Sequence, residues 1–162
     1  MIKKYKLHYE SPIGIIEIEG SSDAISSIMF VEENEKMNLI QVETPTVLVE
    51  CYNQLEEYFK GSRFDFTFPY EFGGTEFQKT VWQALTQIPY GETVAYQHIA
   101  RLIENEKAVR AVGSANGKNK LSIVIPCHRI IGSNGKLTGY AGGLWRKEWL
   151  LNHEREFKKV RA

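Results

Sequence analysis

A chain of 162 residues, 43% hydrophobic and 25% charged, can bury a core without covalent staples and fits one domain or two small ones. No apolar run approaches the roughly 20 residues that span a bilayer, and the first residues give way to alternating polar positions, so no membrane association is expected and the protein is placed in the cytoplasm. The formal net charge is zero, yet residues 1–72 hold six Lys and Arg against thirteen Asp and Glu (net −7) and residues 73–162 fourteen against seven (net +7), so a polyanion would meet the second half.

In chain order, Lys6 to Glu10 and the alternation around Ile16 and Ile18, joined by Ser11-Pro12-Ile13-Gly14, predict a hairpin. Ala24 to Val31 is a third strand and Glu32 to Thr44 an acidic loop. Thr46 to Phe59 is a helix stopped by Gly61, with Leu48, Cys51, Leu55 and Phe59 on one face, which makes Cys51 a small buried hydrophobe. The alternation of Phe64, Phe66 and Phe68 predicts a further strand. An α/β module over residues 1–72 follows, ending at the linker Phe72-Gly73-Gly74.

Residues 73–162 read as a second, mostly helical domain, giving an α+β chain overall. Thr75-Glu76-Phe77-Gln78 has the spacing of a capping box, ahead of a helix with Phe77, Val81, Trp82 and Leu85 on its apolar face that ends at Pro89-Tyr90-Gly91. A second helix opens at Thr93, and a third carries Ala108, Val109, Ala111, Val112 and Ala115. The break at Glu104-Asn105-Glu106 makes the pair a helix-turn-helix candidate, with Arg110, Ser114 and Gly117 off the core face; a plain packed helical hairpin with a surface arginine fits the same residues.

The run Leu121 to Ile131 (LSIVIPCHRII) is apolar and strand-like but is interrupted by Pro126, Cys127, His128 and Arg129. A thiol is a useful nucleophile only as thiolate, and a neighbouring imidazole or guanidinium favours that form while a rigid proline fixes its direction. The same cysteine also reads as a core residue, with His128 on the opposite face. Downstream, Gly132-Ser133-Asn134-Gly135 is a tight turn and Gly139 to Gly143 a glycine-rich pocket wall with no phosphate-cradle fingerprint. Lys147 to Glu154 has a helical pattern on which Leu150 and Leu151 pack and Glu154 reaches inward. The two cysteines and four histidines (His8, His98, His128, His153) match no metal-ligand spacing, and no metal is expected.

Five segments occur in a fixed order: Phe77-Gln78 with Val81-Trp82, Ile88 to Thr93 (IPYGET), Arg110-Ala111-Val112-Gly113, Pro126-Cys127-His128-Arg129, and Leu137 to Leu144 (LTGYAGGL). With them the sequence resembles the O6-alkylguanine-DNA alkyltransferases, also called methylated-DNA-protein-cysteine methyltransferases. The resemblance covers essentially the whole C-terminal half, while the strand-rich N-terminal module resembles that family's ribonuclease-H-like domain.

The resemblance implies direct repair of DNA. Cys127 would take the alkyl group from O6-alkylguanine, or from O4-alkylthymine, in double-stranded DNA, after the base is flipped from the minor-groove side with Arg110 filling its place. Ala111, Gly113, Ser114 and Ala115 would allow close approach to DNA. His128 and Glu154 would form a water-linked relay to the thiol, Tyr96 would protonate the departing base, and Asn119 would hold the turns together. Pro126, Tyr140 and Ala141 would line the base pocket. A single-use monomer without cofactor is implied. Lys120 departs from the family, which usually has proline after the hinge asparagine. Two other readings remain open on the residues alone: a lesion-binding or regulatory protein with a silent cysteine, and a cysteine hydrolase.

Overall fold

The computed structural model describes residues 2–32 and 36–161, with the side chains of the last helix described to Lys159; Glu33 to Glu35 of the expected acidic loop lie outside the described residues. The chain forms two compact units, Met1–Phe72 and Gly73–Ala162.

In the first unit β1 (Tyr5–Ser11), β2 (Gly14–Gly20) and β3 (Ile25–Val31) form an antiparallel sheet in the order β1-β2-β3, with Leu7 opposite Ile18 and Ile18 opposite Ile28. The helix α1 (Thr46–Phe59) packs on this sheet through Leu48, Cys51, Leu55 and Tyr58, all buried, while Tyr9 of β1 meets the rings of Tyr52 and Phe59. Cys51 is part of that core, and burial pushes its thiol well up. Elsewhere on β1, His8 is buried: its Nδ1 accepts from the Asn38 amide at 2.8 Å and its Nε2 lies 3.1 Å from Glu17.

Phe64 to Phe68 is not a strand. Alternating residues need a partner ladder, and among the described residues they have none: Phe66 packs against Tyr58 and Phe68, and the segment meets β3 at a single parallel bridge between Tyr70 and Ile25.

The second unit begins with α2 (Glu76–Leu85), capped by Thr75. The Thr75 hydroxyl accepts from the Gln78 amide at 3.1 Å and the Gln78 side chain accepts from the Thr75 amide at 3.0 Å, satisfying two otherwise orphaned donors. The short β4 (Val94–Ala95) runs directly into α3 (Tyr96–Leu102), and α4 (Val109–Gly117) follows. Trp82 of α2 donates its indole N–H to the Ala115 carbonyl of α4 at 2.8 Å, tying the two helices through a buried bond.

Leu121 to Ile131 is likewise not one strand. It is a series of turns ending in a 3-10 turn at Cys127–Arg129 and in β5 (Ile130–Ile131), which pairs in parallel with β4. An apolar run also suits buried turns: this one is buried at all positions but Val124 and Ile131, and its Cys127–Arg129 turn packs against α5 (Leu144–Arg161). No helix among the described residues is long and apolar enough to cross a membrane.

Candidate active site

The backbone ahead of Cys127 is bent twice. The Val124 amide bonds the Ser122 carbonyl at 2.8 Å around Ile123, whose φ of 73° is one that a β-branched residue rarely adopts. Next, the Cys127 amide bonds the Ile125 carbonyl at 2.7 Å around Pro126 (φ −78°, ψ 61°), an inverse γ-turn that the proline ring is built to hold.

Asn119 clamps these bends. Its Oδ1 accepts from the Leu121 amide at 2.9 Å, and its Nδ2 donates to the Ile125 carbonyl at 2.9 Å and points at the Cys127 sulfur at 3.2 Å. Asn116 of α4 adds a longer bond to the Cys127 carbonyl at 3.4 Å. Sequence reasoning passed over Asn116, because a polar residue on a short helix gives no sign that it turns inward. Lys120, next to the clamp, is exposed.

Cys127 itself is 3% exposed. Burial pushes its thiol up, and the opposing pull of the Asn119 amide and the Lys147 ammonium, which favour the thiolate, offsets only part of that rise. Arg129, a neighbouring cation expected to favour the thiolate, is directed elsewhere. Its Nε and Nη2 donate to the two oxygens of Glu154 at 2.8 and 3.0 Å, and its Nη1 to the Ile88 carbonyl at 2.8 Å.

Glu154 is fully buried two turns into α5 beyond Lys147, and it also accepts from the Gly91 amide at 3.1 Å and from His128 Nε2 at 2.7 Å. Gly91 has φ 78°, so the Pro89-Tyr90-Gly91 turn can aim this amide at the carboxylate without a side-chain penalty. Burial alone would raise the Glu154 carboxyl, but the His128 ring and the Arg129 guanidinium outweigh it and hold the group well below the usual carboxylate range. His128 is held toward its neutral form by burial, against the pull of Glu154. An ionised Glu154 requires Nε2 to carry the proton. The lone pair then sits on Nδ1, which is buried and has no hydrogen-bond partner among the described residues.

Tyr96, the first residue of α3, is brought beside this region because β4 precedes it and pairs with β5, which directly follows Arg129. Its hydroxyl lies 2.7 Å from the Thr138 hydroxyl. Tyr140 is buried, Pro126 is buried, and Ala141 is exposed. Burial, followed by the charge of Cys127, raises the Tyr140 phenol well above its ordinary value, so the charges of Cys127 and Tyr140 bear on each other.

The α4 face divides in a way that periodicity read only in part. Arg110, Ala111, Ser114 and Gly117 are exposed. Gly113 is half-buried, and a Cβ added there would meet the Tyr96 ring at 3.6 Å, an ordinary van der Waals contact. Ala115 corrects the sequence expectation: it is 2% exposed and packs under α2, so it cannot meet a partner directly.

Comparison with known proteins places this geometry. Residues 4–72 match the family model described as 6-O-methylguanine DNA methyltransferase, ribonuclease-like domain, and residues 76–156 match 6-O-methylguanine DNA methyltransferase, DNA binding domain. The chain is 47% identical over 152 residues to the methylated-DNA--protein-cysteine methyltransferase of Methanosarcina acetivorans, covering 93% of this chain and 97% of that one. The crystal structure of Mycobacterium tuberculosis O6-methylguanine methyltransferase superposes with a TM-score of 0.84 at 38% identity, covering 95% of this chain and 94% of that chain. A crystal structure of M. tuberculosis OGT in complex with DNA gives a TM-score of 0.84 at 39% identity, covering 94% and 93%. With both of its halves matched in order, the chain belongs to the 6-O-methylguanine DNA methyltransferase family.

Proposed function

We propose that this protein repairs DNA by direct reversal, with Cys127 taking the alkyl group from O6-alkylguanine once per molecule. The observation that carries the reading is the buried Cys127 thiol, aimed by Asn119 beside a neutral imidazole whose free lone pair is on Nδ1. Relatives named methylated-DNA--protein-cysteine methyltransferase, and a relative solved with DNA, support the substrate.

The chemistry is a displacement. The Cys127 thiol gives its proton across a water molecule to His128 Nδ1, and Glu154 holds the ring in the tautomer that can accept it. The sulfur then attacks the alkyl carbon: the S–C bond forms as the C–O6 bond breaks, and the electron pair passes into the guanine ring. The departing base gains a proton from Tyr96, whose hydroxyl is re-supplied through solvent. The thioether left behind cannot be cleaved by any group at the site, so each molecule acts once.

In this reading residues 1–72 are the ribonuclease-H-like domain and residues 73–162 the DNA-binding alkyltransferase domain. The exposed face of α4 enters the minor groove. Arg110 fills the space of the flipped base, Ala111, Gly113 and Ser114 permit close approach, and Ala115 supports them from the core side. Pro126, Tyr140 and Ala141 line the pocket for the O6-alkylated guanine. The protein works as a monomer in the cytoplasm, where its two unpaired thiols stay reduced.

Intact mass before and after exposure to a duplex carrying O6-methylguanine tests the proposal. A gain of one methyl on the Cys127 peptide is expected. Tight binding to the duplex with Cys127 unmodified would instead make the protein a lesion-binding member of its family.

A further inference from the structure

A lysine within a helix is normally a surface residue, because its ammonium is costly to strip of water. Lys147 is 0% exposed. On α5 the residues Lys147, Leu150, Leu151 and Glu154 recur at i, i+3, i+4 and i+7, so one buried stripe presents a cation at one level and, two turns on, a carboxylate. The carboxylate is not the cation's partner. Glu154 is engaged by His128, Arg129 and Gly91, and among the described residues no carboxylate lies within ion-pair distance of Lys147. Its ammonium donates to the Thr138 carbonyl at 2.6 Å, which fixes its position without neutralising its charge.

The other charges around the thiol are matched, held neutral or, in Arg146, turned to the Gly142 carbonyl at 3.0 Å and the Trp145 ring. The Arg129 cation is matched by Glu154, His128 is held neutral by burial, and burial keeps the Tyr140 phenol protonated. The turn Cys127–Arg129 packs against α5, and among the described residues Lys147 is the buried cation of that helix with no carboxylate partner. Its charge favours the thiolate of Cys127, and in return Cys127 works against the burial that lowers Lys147 to about 8.

We propose that Lys147 is a positioning residue for the transfer reaction, its buried ammonium serving as the counter-charge to the thiolate that forms when Cys127 gives up its proton. This rests on the reading of Cys127 as the acceptor thiol. It assigns separate tasks along α5: the cation at 147 stabilises the anion before attack, and the carboxylate at 154 orients the imidazole that removes the proton. When sulfur becomes a neutral thioether, the ammonium loses its counter-charge.

Two measurements on the full chain test the pair. In the first, the titration of Lys147 is followed by NMR on protein labelled at lysine Cε, in the wild type and in Cys127→Ser. Coupling between two sites is reciprocal, so the Lys147 midpoint should fall by about one unit when the thiol is removed; coincident midpoints would overturn the proposal.

In the second, the rate of Cys127 modification by iodoacetamide is followed against pH, read on the Cys127 peptide. Lys147→Met should move the inflection upward by about one unit, a roughly tenfold loss of thiolate near neutrality, and Lys147→Arg should restore most of it. An unmoved profile in folded Lys147→Met would also overturn it. If Lys147→Met does not fold, the first measurement still decides, because it leaves Lys147 in place. Neither uses alkylated DNA. A protein that shows the coupling but takes no methyl group from a duplex would retain the ion pair and lose only the repair function.

Discussion

Glu154 and Arg129 form a doubly hydrogen-bonded ion pair, Nε to Oε1 at 2.8 Å and Nη2 to Oε2 at 3.0 Å, in which the Glu154 side chain is 0% and the Arg129 side chain 8% exposed. Removing one partner leaves the other buried and uncompensated. Arg129→Ala should cost about 3–5 kcal/mol of stability, measured by urea unfolding, because it strands the Glu154 carboxylate. A loss no larger than that of an exposed arginine would mean that water reaches the pair.

Glu154→Gln separates orientation from charge. The amide still bonds His128, but it no longer requires Nε2 to be the donor, so the tautomer that leaves Nδ1 free is no longer enforced. Alkyl transfer should slow by about ten- to a hundredfold, on the scale of a general-base contribution, with the inflection of its pH profile moved up. A profile coincident with the wild type would remove Glu154 from the relay.

Stability should fall on acidification in two stages. His128 has a folded-state value below its ordinary one, so the unfolded chain takes up its proton first, and stability declines as pH drops below about 6.5. Glu154 is also depressed, and for a carboxylate this means stability present above about 4.3 and lost as pH falls further. Urea midpoints across pH 7 to 3 check both stages, and His128→Gln should flatten the upper one. An unchanged slope in that variant would assign the upper stage to another group.

Arg110 is exposed on α4, so Arg110→Ala should shift stability by no more than about 0.5 kcal/mol. Repair of duplex DNA should nevertheless slow at least tenfold, while reaction with free O6-benzylguanine stays near the wild-type rate, because a free base need not be flipped. Equal losses on the two substrates would count against the proposed role.

Thr75→Ala removes the side-chain half of the α2 capping box and should cost about 1 kcal/mol in urea unfolding. Cys127 reactivity should be unaffected, since the cap stabilises a helix and does not touch the thiol. A drop in the reactivity of the folded variant would show that α2 also positions the site.

Features written in short-range spacing were legible in the sequence. Thr75 and Gln78 announced their capping box because both partners lie within one turn, and the α1 face carrying Cys51 was read from periodicity alone. The nucleophile segment was legible through the ordered motifs of a family, and its local pattern left Cys127 open to being a core residue. Pattern misled twice, alternation at Phe64 to Phe68 and a continuous apolar run at Leu121 to Ile131, since a strand exists only where a partner offers a ladder. Ala115 was set on the DNA face because a small residue fits a groove and a core equally well.

Charge, by contrast, was decided by tertiary structure. The sequence by itself determined that Cys127 neighbours two cations, His128 and Arg129. Folding directs Arg129 to Glu154, holds His128 toward its neutral form by burial, and brings the charge of Lys147, twenty positions away, to bear on the thiol. A lysine at a helical position reads as solvated until the packing around it is known, because exposure and the distance between charges are properties of the folded chain.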